Sequence, residues 1–275
     1  MAKLERVGII GWNYPEWRAA GAYPRGAKKE DFLALYARTW PTVEVASSFY
    51  RAPPPQTIAE WDAQTPPGFV LSLKVPDWIV KKPADEDARE GLRSFVAKLA
   101  PLAGAKKLGA LVAQFAPTFR RDKREADLRA FVAALPKGPR WAIELRHASW
   151  WHEDTYKLLS DARVTLVWSA LESGRTPPVV TSDALYLRLF LDRELQPPYG
   201  TKRRDNAPEM EYWAARLRDE GASASAADVM LSKFLEGYAP GSAATMRRLL
   251  GQPEPTWPDP IEDRPAEGPK QSKLF

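Results

Sequence analysis

Two glutamates stand at the ends of strand-like segments, where their carboxylates could carry out acid–base chemistry. Glu44 lies in the alternating segment TVEV, and Glu144 ends the segment WAIE. A carboxylate can act as a general acid or base, or can ligate a divalent cation. His147, one of only two histidines, could serve as a general base at neutral pH, or could simply form a hydrogen bond within its loop. Glu44, Glu144 and His147 are therefore the candidate catalytic residues.

Basic, polar and aromatic residues near the same segment ends predict a site for an anionic ligand. The planar fork of an arginine binds phosphate or carboxylate through two parallel hydrogen bonds. Aromatic rings could stack on bases or sugars, or could pack loops onto the core. The charged residues could instead form buried ion pairs that only hold the strands in register. The candidate substrate-binding residues are Trp12, Ser47, Tyr50, Arg51, Lys74, Gln114, Arg146, Trp150, Tyr186 and Arg188.

The composition narrows the possible metal and redox chemistry. The chain has no cysteine, which excludes disulfides, thiolate metal sites and a cysteine nucleophile. Two histidines cannot supply the nitrogen ligands of a multi-zinc centre. Glu44 or Glu144 could hold a Mg²⁺ ion, although no ligand-spacing motif accompanies either. The sequence leaves the cofactor unknown.

Eight strand-like segments, most of them separated by helical patterns, must position these residues. Apolar residues at helical spacing, such as Leu92, Phe95, Val96 and Leu99, recur between the segments. Eight strands alternating with about seven helices predict a single closed TIM (β/α)₈ barrel of class α/β. The segments are Arg6–Gly11, Thr42–Ala46, Phe69–Lys74, Leu108–Gln114, Trp141–Arg146, Thr165–Ser169, Ala184–Leu189 and Asp228–Leu235.

Alternation along each strand predicts which side chains face the barrel axis. Glu44, Lys74, Glu144 and Arg188 fall on the inward side, and Arg146 follows two positions after Glu144. In such a barrel the carboxyl ends of all the strands meet at one face, where functional groups are found. The sequence therefore predicts that these side chains converge at one mouth of the barrel.

Charge and hydropathy indicate a soluble protein. The net charge is +5, which favours anionic partners or reflects a solvated basic surface. The chain starts without the apolar run of a signal peptide, and no segment is long and apolar enough to span a bilayer. We expect a cytoplasmic protein without membrane contacts.

An ordered series of motifs resembles the domain-of-unknown-function 72 (DUF72, YecE-like) family over about residues 6–250. The resemblance implies a TIM barrel of unestablished function. The motifs are Gly11-Trp12 with Tyr14 and Trp17, Tyr23-Pro24, Val43-Glu44-Val45 with Ser47 to Arg51 and Pro53, Phe69 to Lys74 with Pro76, Leu108-Gly109 with Gln114, Glu144 to His147 with Ser149-Trp150, and Tyr186-Leu187-Arg188.

At three places the chain departs from the pattern that this resemblance implies. Ala46 stands where the family usually has Asn, and Leu189-Phe190 stand where it has His-Gly. Ser232-Lys233-Phe234 replace an Asn-Asn pair at the end of the eighth strand. Polar site positions are thus replaced, so that any shared activity could be altered or lost.

The composition predicts two regions, a barrel over residues 1–251 and a proline-rich disordered tail over residues 252–275. The tail ends in a peptide that resembles the bacterial sliding-clamp-binding motif. Gln271 could form hydrogen bonds, and Leu274 and Phe275 could fill an apolar pocket. The sliding clamp is accordingly a candidate partner.

Three functional hypotheses are consistent with these observations. The first is a barrel that binds a phosphate-containing ligand, nucleic acid in particular, as a phosphodiester hydrolase or DNA-repair accessory recruited by the clamp. The second is an enzyme acting on a small anionic or sugar substrate, including a glycosidase that uses the two carboxylates. The third is a binding module without catalysis, which the replaced family positions would explain.

Overall fold

Eight parallel strands form the centre of the molecule. The computed structural model describes residues 4–171, 174–191 and 194–257. Each strand pairs in parallel with its neighbours, and the last pairs with the first, so that the sheet closes on itself. The strands are β1 (Leu4–Ile10), β2 (Thr42–Val45), β3 (Val70–Lys74), β4 (Leu108–Gln114), β5 (Arg140–Glu144), β6 (Thr165–Leu171), β7 (Ala184–Leu191) and β8 (Ala226–Leu231).

Helices cover the outside of this sheet and complete a TIM (β/α)₈ barrel, as the sequence predicts. The helical pattern that starts at Leu92 corresponds to α4, and the link after β6 contains no helix in its described residues. The helices are α1 (Phe32–Thr39), α2 (Pro55–Gln64), α3 (Asp77–Lys81), α4 (Glu86–Lys98), α5 (Ala100–Gly104), α6 (Arg121–Ala133), α7 (Glu153–Asp161), α8 (Ala207–Arg218), α9 (Lys233–Glu236) and α10 (Ala239–Leu249).

Two predicted strands continue two or more residues past their observed ends. β5 ends at Glu144, so Arg146 belongs to the loop that follows. β8 ends at Leu231, where a strand to Leu235 was expected, because the Ser232 hydroxyl accepts a hydrogen bond from the Phe234 backbone and starts α9. Such a cap satisfies a free N–H at the start of a helix. Lys233 consequently lies on a short helix above the barrel.

The alternation of side chains separates two apolar regions. Outward residues such as Val43, Leu73 and Ile143 pack against the helices in the larger cluster. Inward residues such as Ile10 and Val112 form a smaller cluster inside the barrel. The barrel interior thus contains few apolar residues, which leaves space near its carboxyl end for polar ones.

The barrel requires a glycine where β1 approaches β2. A Cβ atom built on Gly8 would lie 2.2 Å from the Thr42 carbonyl oxygen, which real Cβ atoms do not approach so closely. Gly26 lies in a surface loop, where a Cβ atom would meet nothing within 4 Å. The absence of a side chain at Gly8 therefore allows the first two strands to pair.

Residues 252–257, which the composition assigns to the tail, contact the amino-terminal end of the barrel. The Gln252 amide donates to the Glu5 carbonyl (3.2 Å), and Thr39 donates to the Thr256 carbonyl (3.1 Å). The Trp257 ring packs edge-on against Trp40. An aromatic residue in this otherwise polar segment explains why it packs against the barrel.

Within the described residues, every helix is too short or too polar to cross a lipid bilayer.

Candidate functional site

A cavity of about 620 Å³ opens at the carboxyl ends of the strands. This is the face on which functional groups of such barrels lie. The residues that line it combine four cations with aromatic and small side chains. They are Ile10, Tyr14, Ala46, Phe49, Tyr50, Lys74, Asp77, Gln114, Phe115, Ala116, Pro117, Arg146, Arg188, Phe190, Ser232, Lys233 and Phe234.

The side chain of Arg188, on β7, lies at the bottom of the cavity and is held by two glutamates. Its Nη2 and Nε donate to the two carboxylate oxygens of Glu44, at 2.8 and 2.9 Å. Its Nη1 donates to Glu144 at 2.6 Å. All three side chains are buried, with relative exposures of 0–1%. Three charges from β2, β5 and β7 thus meet inside the barrel, where an unpaired charge would be costly.

Neutral side chains complete the hydrogen bonding of the two glutamates. Tyr186 donates to Glu44 (3.0 Å), and Ser169 donates to Glu144 (2.8 Å). The Gln114 amide also donates to Glu144, and its carbonyl oxygen accepts from Lys74 Nζ (2.7 Å). The hydrogen bonds therefore run continuously from the buried glutamates to a lysine on the cavity wall.

These contacts set the ionisation of the buried groups. Burial raises the pKa of the Glu144 carboxyl, but the Arg188 charge and the hydrogen bond from Gln114 outweigh it and leave that pKa below its usual value. Burial opposes the charge of Arg188, yet Glu144 and Glu44 raise the pKa of its guanidinium. Burial and the Glu44 charge raise the pKa of Tyr186. Glu144 is therefore an anion at neutral pH, and Tyr186 is a neutral donor.

Neither glutamate is among the residues that line the cavity. Their oxygens point to Arg188 and to the neutral donors instead of the open space. A general acid or base must reach the reacting atom directly or through one water molecule. The catalytic roles predicted for Glu44 and Glu144 remain predictions, and their observed contacts are those of groups that orient Arg188.

The cavity wall carries three further cations, Lys74, Arg146 and Lys233. Lys74 Nζ lies 3.6 Å from the centre of the Phe49 ring as well as bonding to Gln114. Asp77 is the one carboxylate among the described lining residues, and it forms an ion pair with Lys81. The surface that a ligand would meet is therefore predominantly cationic.

Three predicted site residues have local packing or bonding partners outside the cavity. His147 Nδ1 accepts from the Ser149 backbone (3.1 Å) and contacts its hydroxyl (2.9 Å). Trp150 is buried against Phe119 and donates to its carbonyl at 2.6 Å. Trp12 packs edge-on against Trp61. The structure brings none of the three to the cavity lining.

The residues of the loop after β2 differ in whether they line the cavity. Tyr50 lines the cavity opening and is 84% exposed, whereas the exposed Ser47 and Arg51 do not line it. Ser48, which the sequence analysis did not select, is buried and donates to the Lys74 carbonyl at 2.7 Å. This bond joins the ends of β2 and β3 and holds the loop over the cavity.

Several lining residues were not selected as site residues from the sequence. Phe190, Ser232, Lys233 and Phe234, together with Ala46, stand at or beside the positions where the chain departs from the family pattern. The departures mark these positions in the sequence, but they predict only the loss of polar groups and not that the new side chains line a cavity. The structure shows that the replacing side chains form part of the cavity wall.

The described residues contain no group of three or more histidine, aspartate or glutamate side chains arranged to hold a metal ion. Glu44 and Glu144, either of which the sequence allows as a ligand of Mg²⁺ without a supporting motif, both contact Arg188. The predicted clamp-binding residues Gln271, Leu274 and Phe275 lie outside the described residues.

A family model described as "Protein of unknown function DUF72" matches residues 6–267. The chain belongs to the DUF72 family. Among curated proteins, this DUF72 chain is 24% identical over 269 residues to the UPF0759 protein YunF of Bacillus subtilis, covering 89% of this chain and 94% of that protein. It is 27% identical over 141 residues to the UPF0759 protein YecE of Escherichia coli K12. That second match spans about half of each protein, 51% of this chain and 48% of YecE.

Solved DUF72 structures share the fold. A DUF72 family protein from Thermotoga maritima superposes with a TM-score of 0.77 over 90% of this chain and 100% of that one. A DUF72 family protein from Enterococcus faecalis superposes with a TM-score of 0.75 over 94% of this chain and 100% of that one. Both are 23% identical to this DUF72 chain, a level at which the likeness shows the barrel fold alone.

Proposed function

We propose that the cavity at the barrel mouth binds a phosphate-bearing ligand. The observation that carries this proposal is the group of Lys74, Arg146 and Lys233 on the cavity wall, above Arg188, whose own charge is offset by Glu44 and Glu144. Arginine and lysine side chains that converge on a concave site are the usual ligands of phosphate groups. The volume of about 620 Å³ lies in the range of cavities that bind nucleotide-sized molecules.

The two glutamates fix the orientation of the Arg188 guanidinium, which can still donate to a ligand. Three of its N–H groups donate to Glu44 and Glu144, which leaves one hydrogen on each terminal nitrogen outside these bonds. Because the guanidinium is already fixed, a ligand would not have to order it on binding. The glutamates act in this proposal as positioning residues rather than as a catalytic pair.

The same contacts argue against a glycosidase mechanism. Such a mechanism needs one protonated carboxyl group and one carboxylate beside the scissile bond. The pKa of Glu144 is lowered rather than raised, and neither Glu144 nor Glu44 lines the cavity. A sugar phosphate remains a suitable ligand, with its phosphate rather than its glycosidic bond as the recognised group.

Nucleic acid is the second candidate ligand, favoured by the exposed Tyr50 ring at the cavity opening. A smaller pocket of about 190 Å³, lined by Lys81 and Arg124 among others, adjoins the cavity and shares Gln114 with it. A base could stack on Tyr50 while a neighbouring phosphate enters the smaller pocket. However, Lys81 pairs with Asp77 and Arg124 with Asp127, so these cations are partly neutralised. Hydrolysis of a phosphodiester and recruitment by the sliding clamp stay predictions from the sequence.

Calorimetric titration of the full chain with inorganic phosphate, a nucleoside monophosphate and a short single-stranded oligonucleotide tests the proposal. Arg146→Gln should weaken phosphate binding about tenfold or more, the loss of one charge-assisted contact. Arg129→Gln is the matched control, because Arg129 is exposed on α6 and pairs only with Glu125 among the described residues. Absence of phosphate binding at low salt, or equal affinity in the two variants, would overturn the proposal.

A further inference from the structure

The side chain of Lys233 enters the cavity through a group of aromatic rings. Its Nζ lies 4.1 Å from the centre of the Tyr199 ring and 5.1 Å from those of Tyr14 and Phe234. The three rings come from the loop after β1, the segment after β7 and α9 itself, so the enclosure is made by separate parts of the fold. The amine lies among apolar surfaces but still lines the cavity.

Lys233 differs from the other lysine of the cavity in its hydrogen bonding. Lys74 donates to Gln114, whereas no carboxylate of the described residues lies within 4 Å of Lys233 Nζ. Lys202, which is close to Lys233 in the fold, pairs with Asp205 and Glu236. Lys233 is therefore held by aromatic rings rather than by an ion pair.

Several charged groups surround the aromatic enclosure of Lys233. Glu16 accepts from the Tyr199 backbone, and Arg203 lies over the Tyr199 ring. Arg188, on the strand that pairs with β8, also lines the cavity. Glu236, on the same helix as Lys233, is engaged by Lys202 and Ser242. Burial lowers the pKa of the Lys233 amine, and the Glu16 charge opposes that effect. A lysine that is desolvated near other cations gains the neutral form that can act as a nucleophile.

We propose that Lys233 forms an imine with an aldehyde or ketone ligand whose anionic group is bound by the cavity cations. The inference rests on the proposed function, because the same arginines would hold the phosphate of that ligand. The substrate class is then a phosphorylated carbonyl compound, such as an aldehyde-bearing sugar phosphate.

The covalent step needs no redox partner. The neutral Nζ attacks the carbonyl carbon, so that a C–N bond forms while the C=O π bond breaks, and one proton passes from the nitrogen to the oxygen to give a carbinolamine. The C–O bond then breaks, and the hydroxyl leaves as water with the second nitrogen proton, so that a C=N bond remains. The competing effect is cation–π attraction, which stabilises the protonated amine by about 0.5–2 kcal/mol. The experiment must therefore detect the imine itself.

Pyridoxal 5′-phosphate is a suitable probe, because it carries both an aldehyde and a phosphate. The full chain is incubated with the probe, reduced with borohydride, digested and mapped by mass spectrometry. We expect Lys233 to be labelled about tenfold faster than the exposed lysines, as for a desolvated amine. Lys233→Arg should abolish this labelling, and Lys157→Met, a control at an exposed lysine of α7 that pairs with Asp161, should leave it unchanged. Circular dichroism of both variants verifies that they fold.

The possible outcomes of the labelling experiment test the role of Lys233 and the phosphate site independently. Labelling spread over exposed lysines, or confined to Lys74, would overturn the role of Lys233 even if calorimetry shows phosphate binding. Protection of Lys233 by inorganic phosphate, and slower labelling by pyridoxal without the phosphate, support both proposals together. Equal labelling by the two probes with no protection supports a reactive Lys233 and contradicts the phosphate site.

Discussion

Arg188 donates to both carboxylate oxygens of Glu44, through Nη2 at 2.8 Å and through Nε at 2.9 Å. β2 and β7 are not neighbours in the sheet, so this bond crosses the inside of the barrel. The bond from Arg188 to Glu144 adds a third strand, β5. The three side chains hold strands on different sides of the barrel at a fixed separation, at the level where the cavity begins.

Replacement of Arg188 by methionine should strongly destabilise the protein. The change leaves two buried carboxylates without their cation, and removal of one partner from a buried ion pair costs about 3–5 kcal/mol. Chemical denaturation monitored by tryptophan fluorescence measures the change in the free energy of unfolding. Arg129→Met, which breaks only an exposed pair with Glu125, should cost less than about 1 kcal/mol. Similar losses in the two variants would show that the buried network contributes little to stability.

The stability should fall in acid because of Glu144. Its pKa in the folded protein lies below the ordinary value of 4.5, so the unfolded chain binds more protons as the pH drops below that value. The stabilisation is therefore complete above pH 4.5 and is lost as the pH falls through the folded pKa. Denaturation curves from pH 7 to pH 3 should show a shallower acid dependence for Glu144→Gln. Glu211→Gln, at an exposed position on α8, should retain the original slope, and an unchanged slope in Glu144→Gln would contradict the assignment.

A methyl group at residue 8 should disturb the pairing of β1 and β2. Gly8→Ala would place its Cβ atom 2.2 Å from the Thr42 carbonyl oxygen, and overpacking of this kind costs about 1–3 kcal/mol or more. Gly26→Ala is the control, because its added atom meets nothing within 4 Å. Thermal unfolding should show a lower midpoint for Gly8→Ala only. Equal midpoints would show that β1 and β2 accommodate the added methyl group without a loss of stability.

Tyr50 allows the two candidate ligand classes to be distinguished. If nucleic acid binds, Tyr50→Ala should weaken binding of a single-stranded oligonucleotide by about 1–3 kcal/mol, the contribution of one stacked base. Inorganic phosphate should bind with unchanged affinity, because the ring is 84% exposed at the opening. Tyr50→Phe retains the ring and should bind both ligands normally. An unaltered oligonucleotide affinity in Tyr50→Ala would leave a small anion as the better candidate.

Side chains alternate between the two faces of each strand, and this alternation allowed the barrel and its inward-facing residues to be predicted. A polar residue such as Glu44 between two valines can be accommodated only on the opposite face of the strand from the helices. The pairing of Glu44 with Arg188 was one of the alternatives, but its bidentate geometry could not be predicted. That geometry depends on how far the strands are staggered when the sheet closes, which local sequence does not encode.

The loops account for most of what the sequence did not reveal. Trp150 and Trp12 were expected to contact a ligand, yet Trp150 packs against Phe119 and Trp12 against Trp61. The same aromatic residue can cover a core or bind a ligand, and its sequence position does not distinguish the two. Lys233 was assigned to a strand because the cap formed by Ser232 is a short-range effect within an apolar run.

Residues 252–257 contact the end of the barrel where the strands start, through Gln252, Thr256 and Trp257. The described chain therefore finishes about a barrel length away from the cavity, on the opposite side. The opening of the cavity, at the carboxyl ends of the strands, therefore stays clear of residues 252–257 and is accessible to a ligand.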